Sequence, residues 1–304
     1  MSAGDLFLQQ VLNGLTLGAV YALIALGYTM VYGIIQLINF AHGEVFMVGA
    51  YVGMTVLLTA GVGHPGPGTA LWMVTALGAA ALVCGLLGWT VERAAYRPLR
   101  QAPKLSVLIS AIGVSFFLQN AVMLLYGAQD RYVPQVLSAE PWKWGAVTLA
   151  PMQAVIFGVS LALMLVLQWV VYGTRLGRNM RATAQDPLAA RLMGISVDGV
   201  IARTFMIGSA LAGVGGVLSG IYYSTVNFHD GYLTGLKAFT AAVLGGIGNI
   251  PGAMLGGLLL GLLEGLGAGY VSAQWKNVIA FAVLVLVLLL RPRGLLGERV
   301  VDRA

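Results

Sequence analysis

Eight stretches of this chain are apolar, almost free of charge and long on the scale of a bilayer: Leu6–Ile35, Val45–Ala60, Ala70–Val91, Leu105–Tyr126, Pro151–Tyr172, Thr204–Ser224, Gly252–Gly269 and Trp275–Leu290. About 20 apolar residues carry a helix across the hydrocarbon core. Within lipid only helices and closed barrels satisfy every backbone polar group. The chain is therefore expected to be all-α, a polytopic membrane helix bundle forming one transmembrane domain over residues 1–304. Composition agrees, since 59% hydrophobic and 9% charged residues with a mean hydropathy of +0.86 lie outside what a water-facing surface tolerates. The single cysteine, Cys84, sits inside an apolar run, which leaves no disulfide or thiolate cluster to build. The opening MSAGDLFLQQVLNG has neither a basic n-region nor a small-residue cleavage site, so the first run is expected to stay as a membrane helix.

The net charge of +6 is concentrated. Glu92–Lys104, Gly173–Arg203 and Arg291–Ala304 hold 13 of the 17 basic residues, including Arg299 and Arg303. Arginine-rich loops stay in the cytoplasm. Residues 61–69 and 227–235 carry no Lys or Arg, and the loop Gly127–Ala150 offsets Arg131 and Lys143 with Asp130 and Glu140, so these face outward. Basic residues confined between spans are an orientation signal, and nucleic acid is not an expected partner.

Parity then matters. From the inside loop ending at Arg203 to the inside tail at Arg291 the crossings must be even, yet only three long runs appear. Leu236–Asn249, about 14 residues interrupted by glycine and stopped by Ile250-Pro251-Gly252, supplies a short or discontinuous fourth. At the other end, Leu6–Ala60 is too long for two simple helices, and Tyr28–Phe40 is read as the matching short segment. Ten crossings with both termini inside result. Paired glycine-broken segments mark a transport path in such proteins; two kinked helices are the plainer alternative.

Polar residues inside these runs are few. Gln36, Asn39, His42 and Glu44 interrupt the apolar pattern together, and Glu44 is the one formal charge between Leu6 and Val91. It either lines the route of a solute or marks a helix start capped by Asn39. Gly257, Gly261, Gly265 and Gly269 recur every four residues, a seam along which another backbone can approach closely. Glu264 follows Gly257 by seven residues, about 20° round the helix, and turns inward, either toward the path or into a structural hydrogen bond. His42 and Glu44 make no HExxH, and His64 and His229 stand in separate loops, so metal chemistry is not expected. No GxxxxGK[ST] occurs, so ATP would be hydrolysed by another subunit. Ser209 and Ser219 lie in small-residue helix sequence without a nearby membrane histidine, which argues against a serine hydrolase.

The longest inside loop, residues 173–203, has helical rather than linker pattern. Ala184–Met193 can form a short amphipathic helix started by Asp186-Pro187 and ended by Gly194. Leu188, Leu192 and Met193 give it an apolar face, suited to a groove on a partner protein or to anionic headgroups.

The opening LNGLTLGAVYALIALGYTMVYGIIQLINFAHGEVFMVGAY resembles the LivH-type permease of branched-chain amino-acid ATP-binding-cassette importers. The likeness continues through GRNMRATAQDPLAARLMGI, FTAAVLGGIGNIPGAMLGGLLLGLLE and RPRGLLGER, so that Leu12–Arg299 is covered. It implies a bacterial inner-membrane assembly with a second, LivM-like permease, two ATPase subunits that bind ATP and Mg, and an extracytoplasmic binding protein delivering Leu, Ile or Val. It also implies that Arg181, Asp186, Pro187, Ala190, Arg191, Gly194 and Ile195 form the segment coupled to an ATPase. Urea or short amides are the alternative solutes, and a stand-alone secondary carrier the rival mechanism. The expected mechanism is alternating access driven through the 173–203 loop, and a bulky charged residue at Gly194 or Ala190 is expected to stop transport without preventing insertion.

Overall fold

The computed structural model describes residues 3–66, 68–138 and 140–297, so Arg299 and Arg303 of the basic tail lie outside the described residues. The helices run in the order α1 (Ala3–Ile35), α2 (His42–Thr59), α3 (Thr69–Val91), α4 (Lys104–Tyr126), α5 (Pro151–Gly173), α6 (Arg175–Gln185), α7 (Pro187–Leu192), α8 (Val197–Tyr223), α9 (Asp230–Gly245), α10 (Ile250–Tyr270) and α11 (Lys276–Leu290). A π turn at Glu92–Tyr96 and a 3-10 turn at Arg97–Leu99 follow α3. Among the described residues, sheet is confined to two small antiparallel ribbons. One pairs β1 (Arg131–Tyr132) with β4 (Thr225–Val226); the other pairs β2 (Trp142–Trp144) with β3 (Val147–Leu149).

Among the described residues eight helical segments are long and apolar enough to cross a membrane, and the 16-residue α9, about 24 Å long at 1.5 Å per residue, is the short ninth pass. It runs Asp230–Gly245 instead of the expected Leu236–Asn249, because Gly246 leaves helical geometry at φ +107° and the next residues turn into α10. Side-chain bonds sort the ends into two faces. Gln9 of α1 bonds Thr148 in both directions, Thr69 donates to the Val136 carbonyl, and Asn227 donates to Asp130. The N-terminal end of α1 and the loops after α2, α4 and α8 thus share one face. On the other, Leu295 and Leu296 donate to the carbonyls of Leu244 and Gly245, folding the tail under the α9–α10 junction.

This arrangement corrects the crossing count at one place. Tyr28–Phe40 is not a separate pass: Tyr28–Ile35 completes α1 as one unbroken 33-residue helix, because nothing in it removes a backbone donor. The break comes at Gln36, with φ +52°, and residues 36–41 turn back to start α2. Three passes precede Glu92 instead of four, so the N-terminal end of α1 lies on the outer face, opposite the basic tail. No Lys or Arg occurs in the first 92 residues, so the positive-inside rule does not oppose it.

Lipid supplies no hydrophobic drive between helices, so packing depends on close van der Waals approach between small residues. α1 and α8 fill the middle, buried along most of their length, whereas α11 lies at the margin and buries only Ala280. α3, α4 and α5 form the outer ring and expose Leu82, Phe117, Leu124 and Trp169. A Cβ placed on Gly257 would meet the Ala22 backbone at 2.5 Å, and one on Gly265 would meet the Gly14 Cα at 2.6 Å. Gly261 faces Gly18, while Gly269 lies against the Gln10 side chain. α10 therefore runs antiparallel to α1 along this seam.

Candidate transport path and cytoplasmic docking face

Residues 173–203 fold as α6, α7 and the first turns of α8. Thr174 caps α6 by accepting from Gly177 N–H at 3.2 Å. Asp186 breaks α6 from α7 and caps the latter, accepting from Leu188 N–H at 2.9 Å and Ala189 N–H at 3.0 Å, with Pro187 at the first helical position. Gly194 adopts φ +81° beyond Met193, a conformation glycine reaches without steric cost. Leu188, Leu192 and Met193 are 68–82% exposed. Ala190 instead points inward and, with Ile195, joins a cluster of Val31, Tyr96 and Phe205 that also packs Leu37 and Phe40. Arg181 donates to the Val171 carbonyl and stacks over Tyr172 at 5.5 Å, holding α6 to the end of α5.

Asp198, two residues into α8, gathers the nearby arginines. Arg97 bonds it at 2.9 Å, Arg100 at 2.6 Å, and Arg191 approaches to 4.0 Å. Arg100 also pairs with Glu92. This network ties the end of α7 to the turns that follow α3.

The turn at residues 36–41 sits directly above. Asn39 Oδ1 accepts from Ala41 N–H at 3.1 Å and from the Tyr96 hydroxyl at 2.8 Å. Ala41 is the N-cap of α2, without a side-chain cap, so Asn39 secures the turn ahead of the helix instead of capping it. His42 packs edge-on to Tyr28 with ring centroids 4.8 Å apart. Glu44, in the first turn of α2, accepts from Ser115 Oγ at 3.2 Å. Both are buried, whereas Gln36 is exposed.

Glu264 belongs to a different place. Its Oε1 accepts from Lys237 Nζ at 2.5 Å and its Oε2 from the Tyr21 hydroxyl at 2.9 Å, which joins α9, α10 and α1 deep in the bundle. The group lines a cavity of about 230 Å³ reached from the outer ends of α8, α9 and α11, where Tyr223, Asp230 and Lys276 stand. A second cavity of about 310 Å³ shares Ser219, Tyr223, Asp230 and Thr234 with it. The polar candidates thus separate into a group around the 36–41 turn and a single carboxylate under an outward chamber. Lys237, Tyr21, Tyr96 and Asp198 are not among the candidates read from sequence. For Lys237 a signal exists, since it is the only Lys or Arg between Arg203 and Lys276.

An apolar helix bundle with a chamber of mixed polar and apolar lining at one face and a short, exposed, arginine-flanked helix at the other fits a membrane permease. Residues 10–288 match the family described as branched-chain amino acid transport system / permease component, and the chain belongs to that family. It is 49% identical over 304 residues to the high-affinity branched-chain amino acid transport system permease protein LivH of Escherichia coli (strain K12), covering 98% of this chain and 97% of that one. It is also 49% identical over 302 residues to BraD of Pseudomonas aeruginosa, a permease of the same description, with 98% of each chain covered. At 28% identity over 294 residues it matches a probable branched-chain amino acid transport permease protein LivH of Methanocaldococcus jannaschii, covering 90% of this chain and 88% of that one.

Proposed function

We propose that this chain is a permease of an ATP-driven importer of leucine, isoleucine and valine in a bacterial inner membrane. In that assembly a second, LivM-like permease stands beside it, two ATPase subunits dock beneath and bind ATP and Mg, and an extracytoplasmic binding protein delivers the solute. The names of the relatives at 49% identity favour branched-chain amino acids over urea or short amides. The observation that carries the importer reading is α7: three large apolar side chains stand exposed on a capped helix beside arginines, the form of a helix awaiting a groove.

Movement of α7 would act through Ala190 and Ile195 on the cluster beneath the 36–41 turn, and the Asp198 network would carry it to the Tyr96–Asn39 bond. Arg181, Asp186, Pro187 and Gly194 hold the geometry of the segment, and Arg191 flanks its exposed face. The test is uptake by the complete importer in proteoliposomes. Leu192→Asp with Met193→Asp is expected to leave insertion intact and to lower both uptake and solute-stimulated ATP hydrolysis at least tenfold. Unchanged uptake would remove α7 from the coupling path, and solute flux through this chain without ATPases would replace the importer with a secondary carrier.

A further inference from the structure

The outward chamber has an ion pair at its inner end, and the pair has unused bonding capacity. An ammonium has three donors and an ionised carboxylate about four acceptor sites. Among the described residues Lys237 spends one hydrogen-bond donor, on Glu264, with its ammonium also 5.9 Å from the centroid of the Tyr21 ring, and Glu264 accepts two bonds, one from Lys237 and one from Tyr21. Lys237 is 8% exposed and Glu264 1%, so the pair meets solvent only through the chamber it lines, at a depth where an unbalanced charge is costly. The pair itself is neutral. An anionic or cationic ligand would leave a net charge buried beside it, whereas a zwitterion laid antiparallel to it adds none.

Apolar groups stand beside the charges. Leu17, Val20 and Leu233 line the same cavity, a combination of few polar anchors with apolar walls that small-molecule sites commonly show. Along α9, Asp230, Leu233, Thr234 and Lys237 follow at helical spacing on one face, so a polar track leads from the mouth of the chamber to the pair.

We propose that Lys237 and Glu264 form the head-group site for a zwitterionic α-amino acid. The solute carboxylate takes the free donors of Lys237, its ammonium the remaining acceptor sites of Glu264, and its aliphatic side chain lies against Leu17, Val20 and Leu233. Tyr21 is a positioning residue that orients Glu264. This rests on the importer reading and names the place where solute is held in this chain.

The experiment uses the complete importer with a diazirine analogue of leucine, irradiated and mapped by mass spectrometry, beside uptake of leucine itself. Labelling of the wild type is expected at Leu17, Val20, Tyr21 or Leu233. Neutralising one partner alone would strand a buried charge, so the informative variant is Lys237→Met with Glu264→Gln. This double variant is expected to insert and assemble while labelling and uptake fall at least tenfold, with the binding protein's own affinity unchanged. A pair that only pins helices predicts the opposite: uptake within twofold of wild type, which overturns the proposal. Wild-type labels confined to other helices overturn it too, even if the double variant fails to assemble. Absence of any ATP-driven leucine uptake by the wild type would instead bring down the importer reading, and this site with it.

Discussion

At the scale of single residues, what matters most is whether a side chain has room. A Cβ on Gly261 would run into the backbone of Gly18, whereas one on Gly78 meets nothing within 4 Å. Gly261→Ala must push α1 and α10 apart, an overpacking cost of about 1–3 kcal/mol. Gly78→Ala is expected to be neutral or slightly stabilising, since glycine inside a helix costs roughly 0.5–1 kcal/mol against alanine. Heating the detergent-solubilised proteins and following the monodisperse fraction by size-exclusion chromatography checks the contrast; equal midpoints would mean that the seam is not close-packed. The glycine spacing was legible in sequence because period four on a helix is a local property. Which helix fills the seam was not, since Gly14 and Gly18 lie more than 200 residues away.

At the scale of elements, two short pieces differ from the long spans in how they are built. The start signal of α7 was legible, because Asp186-Pro187 states a cap and a first helical position in local chemistry, whereas Ala184 and Gln185, expected in the same helix, are the last residues of α6. Its inward side was not: Ala190 is buried while Leu192 is bare, so a charged residue at Ala190 would disturb folding as well as docking, and Leu192 with Met193 is the cleaner pair to alter. The 36–41 turn is held to the π turn by the Tyr96–Asn39 hydrogen bond. Tyr96→Phe removes that bond with little change of volume, at a cost of about 1 kcal/mol, since Asn39 Oδ1 keeps its bond from Ala41 N–H. The expected outcome is normal insertion with slower uptake per importer and unchanged affinity of the binding protein. Wild-type uptake rates in proteoliposomes would show that the bond only stabilises the fold.

For the whole molecule, the decisive quantity is the parity of the passes. Nine passes put Ala3 on the outer face, beyond Gln9, which bonds Thr148 in the loop there. With Cys84 replaced by serine, a cysteine at Ala3 in intact cells is expected to react with a membrane-impermeant maleimide, and one at Leu192 only after the membrane is opened. Protection of the Ala3 site would restore ten passes with both ends inside. The same parity governs the chamber: because α9 descends from Asp230 to Gly245, Lys237 lies below the mouth and not on the cytoplasmic side.

Sequence by itself determined that the chain lives in lipid, which loops carry the inward charge, where α7 begins and that the stretch after Arg203 holds one short pass. Each follows from composition, period or capping within a few residues. Only the tertiary structure decided that α1 runs unbroken to Ile35, that Asn39 answers Tyr96, and that Lys237 meets Glu264. The physical reason is the same in all three. Whether a helix continues past a tolerated residue, or a buried polar group finds its partner, is settled by atoms brought alongside from distant parts of the chain, and no local pattern carries their addresses.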